Sequence, residues 1–117
     1  MNKKTSSQPE LRLQQECYVW WHNNYPEHRG KLWRVENERR RNRYEQMIAK
    51  STGLVAGVAD LNMLHDGQFY AIELKSPEGR QTVEQRAWQR RIEAEGGVYV
   101  IVRSLEQFQT FIEEVLQ

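Results

Sequence analysis

The sequence predicts a single α/β domain in which a mixed β-sheet lies between helices, in the order αβαββαβα. Three observations carry that expectation. Leu61–His65 and Gln68–Lys75 are short apolar-rich runs flanking Asp66-Gly67, a dipeptide that tolerates the positive φ angles of a two-residue hairpin turn. Val98–Val102 is a continuous β-rich run suited to a central strand buried on both faces. Between these strands, Thr82–Glu95 reads as a helix, the usual connection for strands that pair in parallel. A chain of 117 residues supports one core. We therefore expect a flexible segment at 1–8 and one domain over 9–117.

The elements follow from local pattern. After Pro9, the residues Leu13, Cys17, Trp20 and Trp21 recur at helical spacing, which predicts a helix from Pro9 to Asn23. Glu10 and Gln14 share that stripe, and Glu16 sits at its edge. An acid on an inward-facing stripe is disfavoured unless it has a partner. Lys31–Val35 alternates weakly and reads as the first strand. Glu38–Ser51 reads as a basic helix closed by Gly53, and Gly57 lets the backbone pass close to a neighbour before Asp60. SPEGRQ after Lys75 is a loop. Thr82-Val83-Glu84-Gln85 has capping-box spacing, so Gln85 either reaches back to the Thr82 backbone or serves a site. Ala87, Trp88 and Ile92 would face the sheet, and Gly96-Gly97 ends the helix. Ser104 with Gln107 opens a terminal helix with Leu105, Phe108, Ile112, Val115 and Leu116 on its apolar face.

Chemistry enters through the hairpin register. With Asp66 and Gly67 as turn residues, His65 faces Gln68, Met63 faces Tyr70, Leu61 faces Ile72, and Asp60 faces Glu73. Two carboxylates with Cβ atoms roughly 5 Å apart destabilise a sheet unless something neutralises them. A divalent cation can. Lys75 is two residues beyond Glu73, so the period of two brings its ammonium to the same face. Hard cations such as Mg²⁺ take one or two carboxylates with retained water, which this set can offer.

An Asp followed about a dozen positions later by Glu-x-Lys on the next strand resembles the PD-(D/E)xK nucleases. GLVAGVADL and IELKSPEGRQTVEQRAWQRRIEAEGGVYVIVRS are more narrowly similar to the virus-type replication-repair nuclease domain, VRR-Nuc. The similarity runs from about Glu10 to the C-terminus. One departure is Ala59, where the family has a proline before its Asp; the missing ring removes a constraint on the approach to Asp60. The resemblance implies a restriction-endonuclease-like fold and a metal-dependent endonuclease using Mg²⁺ or Mn²⁺. Asp60, Glu73 and the backbone carbonyl of Leu74 would hold the metal, and Lys75 would act at the reacting centre. Glu10, with Glu16 as the alternative, would reach the metal through water, and Gln85 would support the site. It also implies branched DNA such as four-way (Holliday) junctions. A non-catalytic DNA-binding protein on the same fold, or a nuclease acting on linear or flap DNA, is the competing reading. Paired cuts at a junction would suit a symmetric homodimer.

Composition narrows the setting. The formal net charge is +1, yet residues 29–50 carry eight Lys or Arg against three acids, whereas 104–117 carry three acids and no base. Arg39, Arg40, Arg41, Arg43 and Lys50, with Arg80, Arg86 and Arg90, are candidates for phosphate contacts; a solvated helix face is the alternative for the first group. No apolar run approaches the roughly 20 residues of a membrane span. MNKKTSSQ has no apolar core and is not expected to be a signal peptide. One cysteine gives no disulfide framework and fits a reducing cytoplasm; separately from composition, we expect a bacterial or phage-encoded, intracellular protein. Cys17 is expected in the core, and His22, His28 and His65 at the surface. Four tryptophans are more than the core of so small a domain needs. We expect one or two of them to be exposed for stacking or for an interface.

Overall fold

The computed structural model describes residues 4–36 and 41–117, with residues 4–8 as backbone alone. Among these, four helices alternate with four strands: α1 (Lys4–Asn24), β1 (Leu32–Arg34), α2 (Arg43–Ser51), β2 (Leu61–His65), β3 (Gln68–Leu74), α3 (Val83–Ala94), β4 (Val98–Val102) and α4 (Leu105–Leu116). This is the expected order, with one added 3-10 turn at Pro26–His28 between α1 and β1. No helix among the described residues is long and apolar enough to cross a membrane.

The hairpin sets the register of the whole sheet. Asp66 and Gly67 adopt φ of 51° and 76°, the left-handed pair a two-residue turn needs. His65 then pairs with Gln68, Met63 with Tyr70 and Leu61 with Ile72, as expected. β1 adds to β2 antiparallel, and hydrogen bonds from Leu64 N–H to the Lys31 carbonyl and from Val35 N–H to the Asp60 carbonyl extend the pairing past both its ends. β4 pairs with β3 in parallel, with Glu73 beside Ile101.

The sheet order β1-β2-β3-β4 corrects one expectation. β4 is an edge strand and Val98 is exposed, so it is not the central strand its apolar run suggested. The reason is that such a run reports helices packed on both faces and says nothing about neighbours in the sheet plane. The two faces have separate cores. Cys17 and Trp21 of α1 and Phe108 and Ile112 of α4 pack on Leu32, Leu61, Met63, Ile72, Leu74 and Val102. On the other face Ala59, Ala71 and Tyr99 form a smaller cluster with Phe69, Ile101 and Trp88 of α3. Each fully buried large side chain of this kind contributes about 1.5–3 kcal/mol. Burial, and then the charge of Glu16, pushes the Cys17 thiol up to about 12, so it stays protonated inside the core.

Two helix boundaries also differ from expectation. α1 begins at Lys4 and carries Pro9 inside it, where the ring removes one backbone donor without stopping the helix. α2 begins at Arg43 and not at Glu38, because Asn42 is extended and caps it: the Asn42 side chain accepts from Glu45 N–H, and Glu45 returns the bond to Asn42 N–H. Glu38, Arg39 and Arg40 lie outside the described residues. Gly53, at φ 110°, takes the left-handed position after α2 as anticipated. Of the tryptophans, Trp21 is fully buried and Trp33 is 41% exposed. The three histidines are half-buried, not at the surface, and the rings of His28 and His65 meet edge to face at 5.3 Å.

Candidate functional site

The polar groups singled out by the sequence converge where β3 ends. Glu73 is 0% exposed, and each of its oxygens meets a different neighbour. Oε1 accepts a hydrogen bond from the Tyr99 hydroxyl. Oε2 faces the Lys75 ammonium at 3.2 Å, as an ion pair without hydrogen-bond geometry, and is otherwise a buried acceptor with no partner. Lys75 is itself 6% exposed, and its N–H donates to the Val102 carbonyl at 2.9 Å, so the strand geometry persists past Leu74.

Asp60 precedes β2, opposite this point. Its Oδ2 accepts from Leu74 N–H at 2.9 Å, replacing the backbone acceptor that a longer β2 would have supplied. In a strand the N–H and C=O of one residue point the same way. The Leu74 carbonyl is therefore directed to the same side as Asp60. The approach to Asp60 is held by Ala59, which is buried and whose carbonyl accepts from the Asn62 side chain at 3.2 Å. Gly57, at φ 87°, lies so close to α3 that a Cβ would come within 2.3 Å of the Glu84 carbonyl oxygen. Only glycine lets the loop into Asp60 rest on the start of α3.

Of the two first-helix acids, the structure brings Glu10 to the site and leaves Glu16 exposed. Glu10 Oε2 accepts from Ser76 N–H at 3.3 Å, just after β3. A Cβ on Gly79 would lie 2.9 Å from Glu10 Oε2 and 3.3 Å from Lys75 Cδ, so both side chains border the same loop. Gln85 takes the capping role: its Oε1 accepts from Thr82 N–H at 2.8 Å. Only its amide hydrogens remain to serve the site.

Three residues of this region were not anticipated. Tyr99 contacts Glu73 directly. Burial first, then the hydrogen bond and charge of Glu73, with a further contribution from Asp60, hold its hydroxyl above the ordinary tyrosine range, against a lowering by Gln81. Gln81 Nε2 donates to the Tyr99 oxygen at 3.3 Å. Arg103 donates to the carbonyls of Ser76 and Gly79, each at 2.8 Å, and so grips the loop that Glu10 holds from the other side. All three stand in the stretch of resemblance as bare letters, with no spacing that marks a role.

The candidate phosphate-binding cations divide by location. Arg43 and Lys50 are exposed on α2, which has no buried residue, and Arg41 beside it is half-buried. Arg80, Arg86 and Arg90 are exposed on or before α3, where Arg86 also donates to the Gln81 carbonyl at 3.4 Å. Arg39 and Arg40 lie outside the described residues.

The donor set fits a hard cation better than a soft one. No group of three or more His, Cys, Asp or Glu side chains forms a metal cage among the described residues. The donors present are all oxygen, the carboxylates of Asp60 and Glu73, the latter with an unsatisfied buried Oε2, and the Leu74 carbonyl, which is the kind of donor that Mg²⁺ or Mn²⁺ takes. Without a cation, Lys75 is the neutralising partner of Glu73. Lys75→Met should therefore cost about 3–5 kcal/mol of unfolding free energy in EDTA, as removal of one member of a buried pair does. Urea unfolding with and without Mn²⁺ checks this: the metal should restore part of the loss, and combining the change with Glu73→Gln should restore most of it in EDTA. Unchanged stability of Lys75→Met would mean that the pair does not carry the buried charge.

No family model matches the sequence, and no curated protein is similar to it at a significant level. The solved structures do give matches. One is a VRR_NUC domain protein, 18% identical, covering 91% of this chain and 86% of that one with a TM-score of 0.71. Another is a VRR_NUC domain, 19% identical, covering 90% of this chain and 95% of that one with a TM-score of 0.58. At such identities the likeness is one of fold. The chain has the restriction-endonuclease-like fold of the VRR-Nuc domains.

Proposed function

We infer that the protein is a metal-dependent endonuclease that hydrolyses phosphodiester bonds in DNA. The observation that supports this most is the convergence of Asp60, Glu73, the Leu74 carbonyl and Lys75 at the end of β3, on a VRR-Nuc fold. Asp60, Glu73 and Leu74 would hold Mg²⁺ or Mn²⁺, with Glu10 reaching it through water. The bound ion would polarise the phosphate and lower the pKa of a coordinated water. Lys75, already beside Glu73, orients the attacking water or stabilises charge developing on the phosphate. Gln85 keeps the start of α3 in place through its cap, and Gly57 conveys that position to the loop bearing Asp60.

Branched DNA, such as a four-way junction, is the substrate we favour. Among the described residues no separate module stands apart for reading base edges, which favours recognition by backbone charge and shape. Arg43 and Lys50 on α2, with Arg41 beside it, supply one basic surface; Arg80, Arg86 and Arg90 supply another. A protein of this fold that binds DNA without cutting is the second reading. Labelled junction and linear duplex, incubated with Mn²⁺, Mg²⁺ or EDTA, separate the two. We expect metal-dependent cleavage of the junction in preference to the duplex, and a loss of at least about 100-fold in Asp60→Asn and Glu73→Gln with binding retained. Tight binding with no cleavage in either metal would favour the second reading.

The basic surface has its own signature. Substituting Arg43 and Lys50 together by Ser should weaken binding to all DNA alike and flatten the slope of log K against log salt by about two. An unchanged slope would return α2 to an ordinary solvated helix.

Two cuts on opposed strands require two sites, and a symmetric homodimer supplies them. A cleft of about 770 Å³ between α1 and β1, lined by Leu11, Tyr18, Leu32 and Trp33 among others, offers apolar surface for self-association. Light scattering behind a sizing column should give about twice the chain mass of 14.0 kDa. A single species at the monomer mass, with and without junction DNA, would leave a protein that nicks one strand at a time.

A further inference from the structure

We propose that Tyr99 is the positioning residue of this site: its hydroxyl fixes Oε1 of Glu73 so that Oε2 alone is presented for the metal, and Gln81 sets the direction of that hydroxyl. The proposal rests on the metal-dependent reading above.

Register and packing make the contact a defined one. β3 and β4 run in parallel with Ala71 beside Tyr99 and Glu73 beside Ile101, so Tyr99 stands diagonal to Glu73 on the same face. Its ring is 8% exposed and is held edge-on by Trp88 at 6.1 Å, which in turn meets Phe69 at 6.5 Å. A phenylalanine would fill that space and meet Trp88 equally well. The hydroxyl therefore has one use in this packing, the polar contact with Glu73 and Gln81.

The direction of the contact follows from donor and acceptor counting. A carboxylate only accepts, whereas a side-chain amide donates from nitrogen and accepts at oxygen. Glu93 Oε2 takes a bond from Gln89 Nε2 at 3.1 Å, which turns the Gln89 oxygen toward Gln81. Gln81 Nε2 donates to that oxygen at 2.8 Å and, from the same nitrogen, to the Tyr99 oxygen at 3.3 Å. With its oxygen accepting from Gln81, the hydroxyl keeps its single proton for Glu73 Oε1. The chain from Glu93 on the surface of α3 thus orients each group in one sense only. Lys75 neutralises Glu73 from the side of Oε2, at 3.2 Å and without hydrogen-bond geometry, and so does not hold Oε1. Tyr99 does, and partners of this kind typically tune metal affinity about 10- to 100-fold.

The experiment uses the full chain without DNA. Mn²⁺ is titrated calorimetrically into the parent, Tyr99→Phe and Gln81→Met, each first checked for cooperative unfolding in EDTA. Steady-state cleavage of a junction then follows. Tyr99→Phe should bind Mn²⁺ about 10- to 100-fold more weakly and lose kcat while its KM for DNA stays within about two-fold. Gln81→Met should shift both in the same direction by less, because the hydroxyl keeps its proton but loses its fixed orientation. Parental Mn²⁺ affinity and kcat in Tyr99→Phe overturn the assignment and leave the metal-dependent reading intact. Should Tyr99→Phe fail to fold, Gln81→Met decides alone, and parental Mn²⁺ affinity in it counts against the proposal. A parent that takes up no Mn²⁺ and cleaves nothing overturns the reading and the assignment together.

Discussion

Burying the carboxylate of Glu73 is the constraint from which most of this structure follows. An ionised acid removed from water is tolerated only with a counter-charge and hydrogen bonds close at hand. Here three elements are recruited to supply them: the continuation of β3 brings Lys75, β4 brings Tyr99, and the loop before α3 brings Gln81. The small side chains of Ala59 and Ala71 beside Tyr99 leave room for those polar groups under α3. The opposite face, packed with Trp21, Phe108, Leu74 and Ile112, has no comparable obligation and carries most of the apolar burial.

Asp60 solves a related problem with different means. β2 stops at Leu61, so Leu74 would be left with an unpaired N–H at the strand's end. The Asp60 carboxylate takes that donor, and in doing so is fixed in the sheet plane beside the Leu74 carbonyl. One hydrogen bond thereby closes the open end of the hairpin and ties Asp60 to the end of β3. Ala59, at the preceding position, is held by burial and by the Asn62 amide.

What the sequence made legible was whatever depends on neighbours close along the chain. Asp66-Gly67 set the hairpin and its pairs from His65 with Gln68 to Leu61 with Ile72, and the period of two brought Lys75 to Glu73. The caps at Thr82 and Ser104 were readable for the same reason. Contacts between distant segments were not. Tyr99 reaches Glu73 across 26 positions, and nothing in VYVIV distinguishes its tyrosine from a packing residue. Sheet position was hidden as well, since face burial of β4 conceals its open edge. Helical phase favoured Glu10, on the inward stripe, over Glu16 at its edge, and it is Glu10 that reaches the loop after β3; the partner it meets there, Ser76 N–H, was not readable. Gln85 showed the opposite limit: its local role was visible and proved to occupy the side-chain oxygen.

The clasp around residues 76–79 has a bearing on how the protein is made. Glu10 holds that loop from one end of the chain, and Arg103 holds it from near the other. During synthesis, Asp60, Glu73 and Lys75 leave the ribosome well before Tyr99 and Arg103 do. A nascent chain at that stage possesses the acids and the lysine without the frame that orders them. Ordering of the site therefore waits on segments synthesised well after Lys75, and a chain ending before Tyr99 would hold the same charges without that frame.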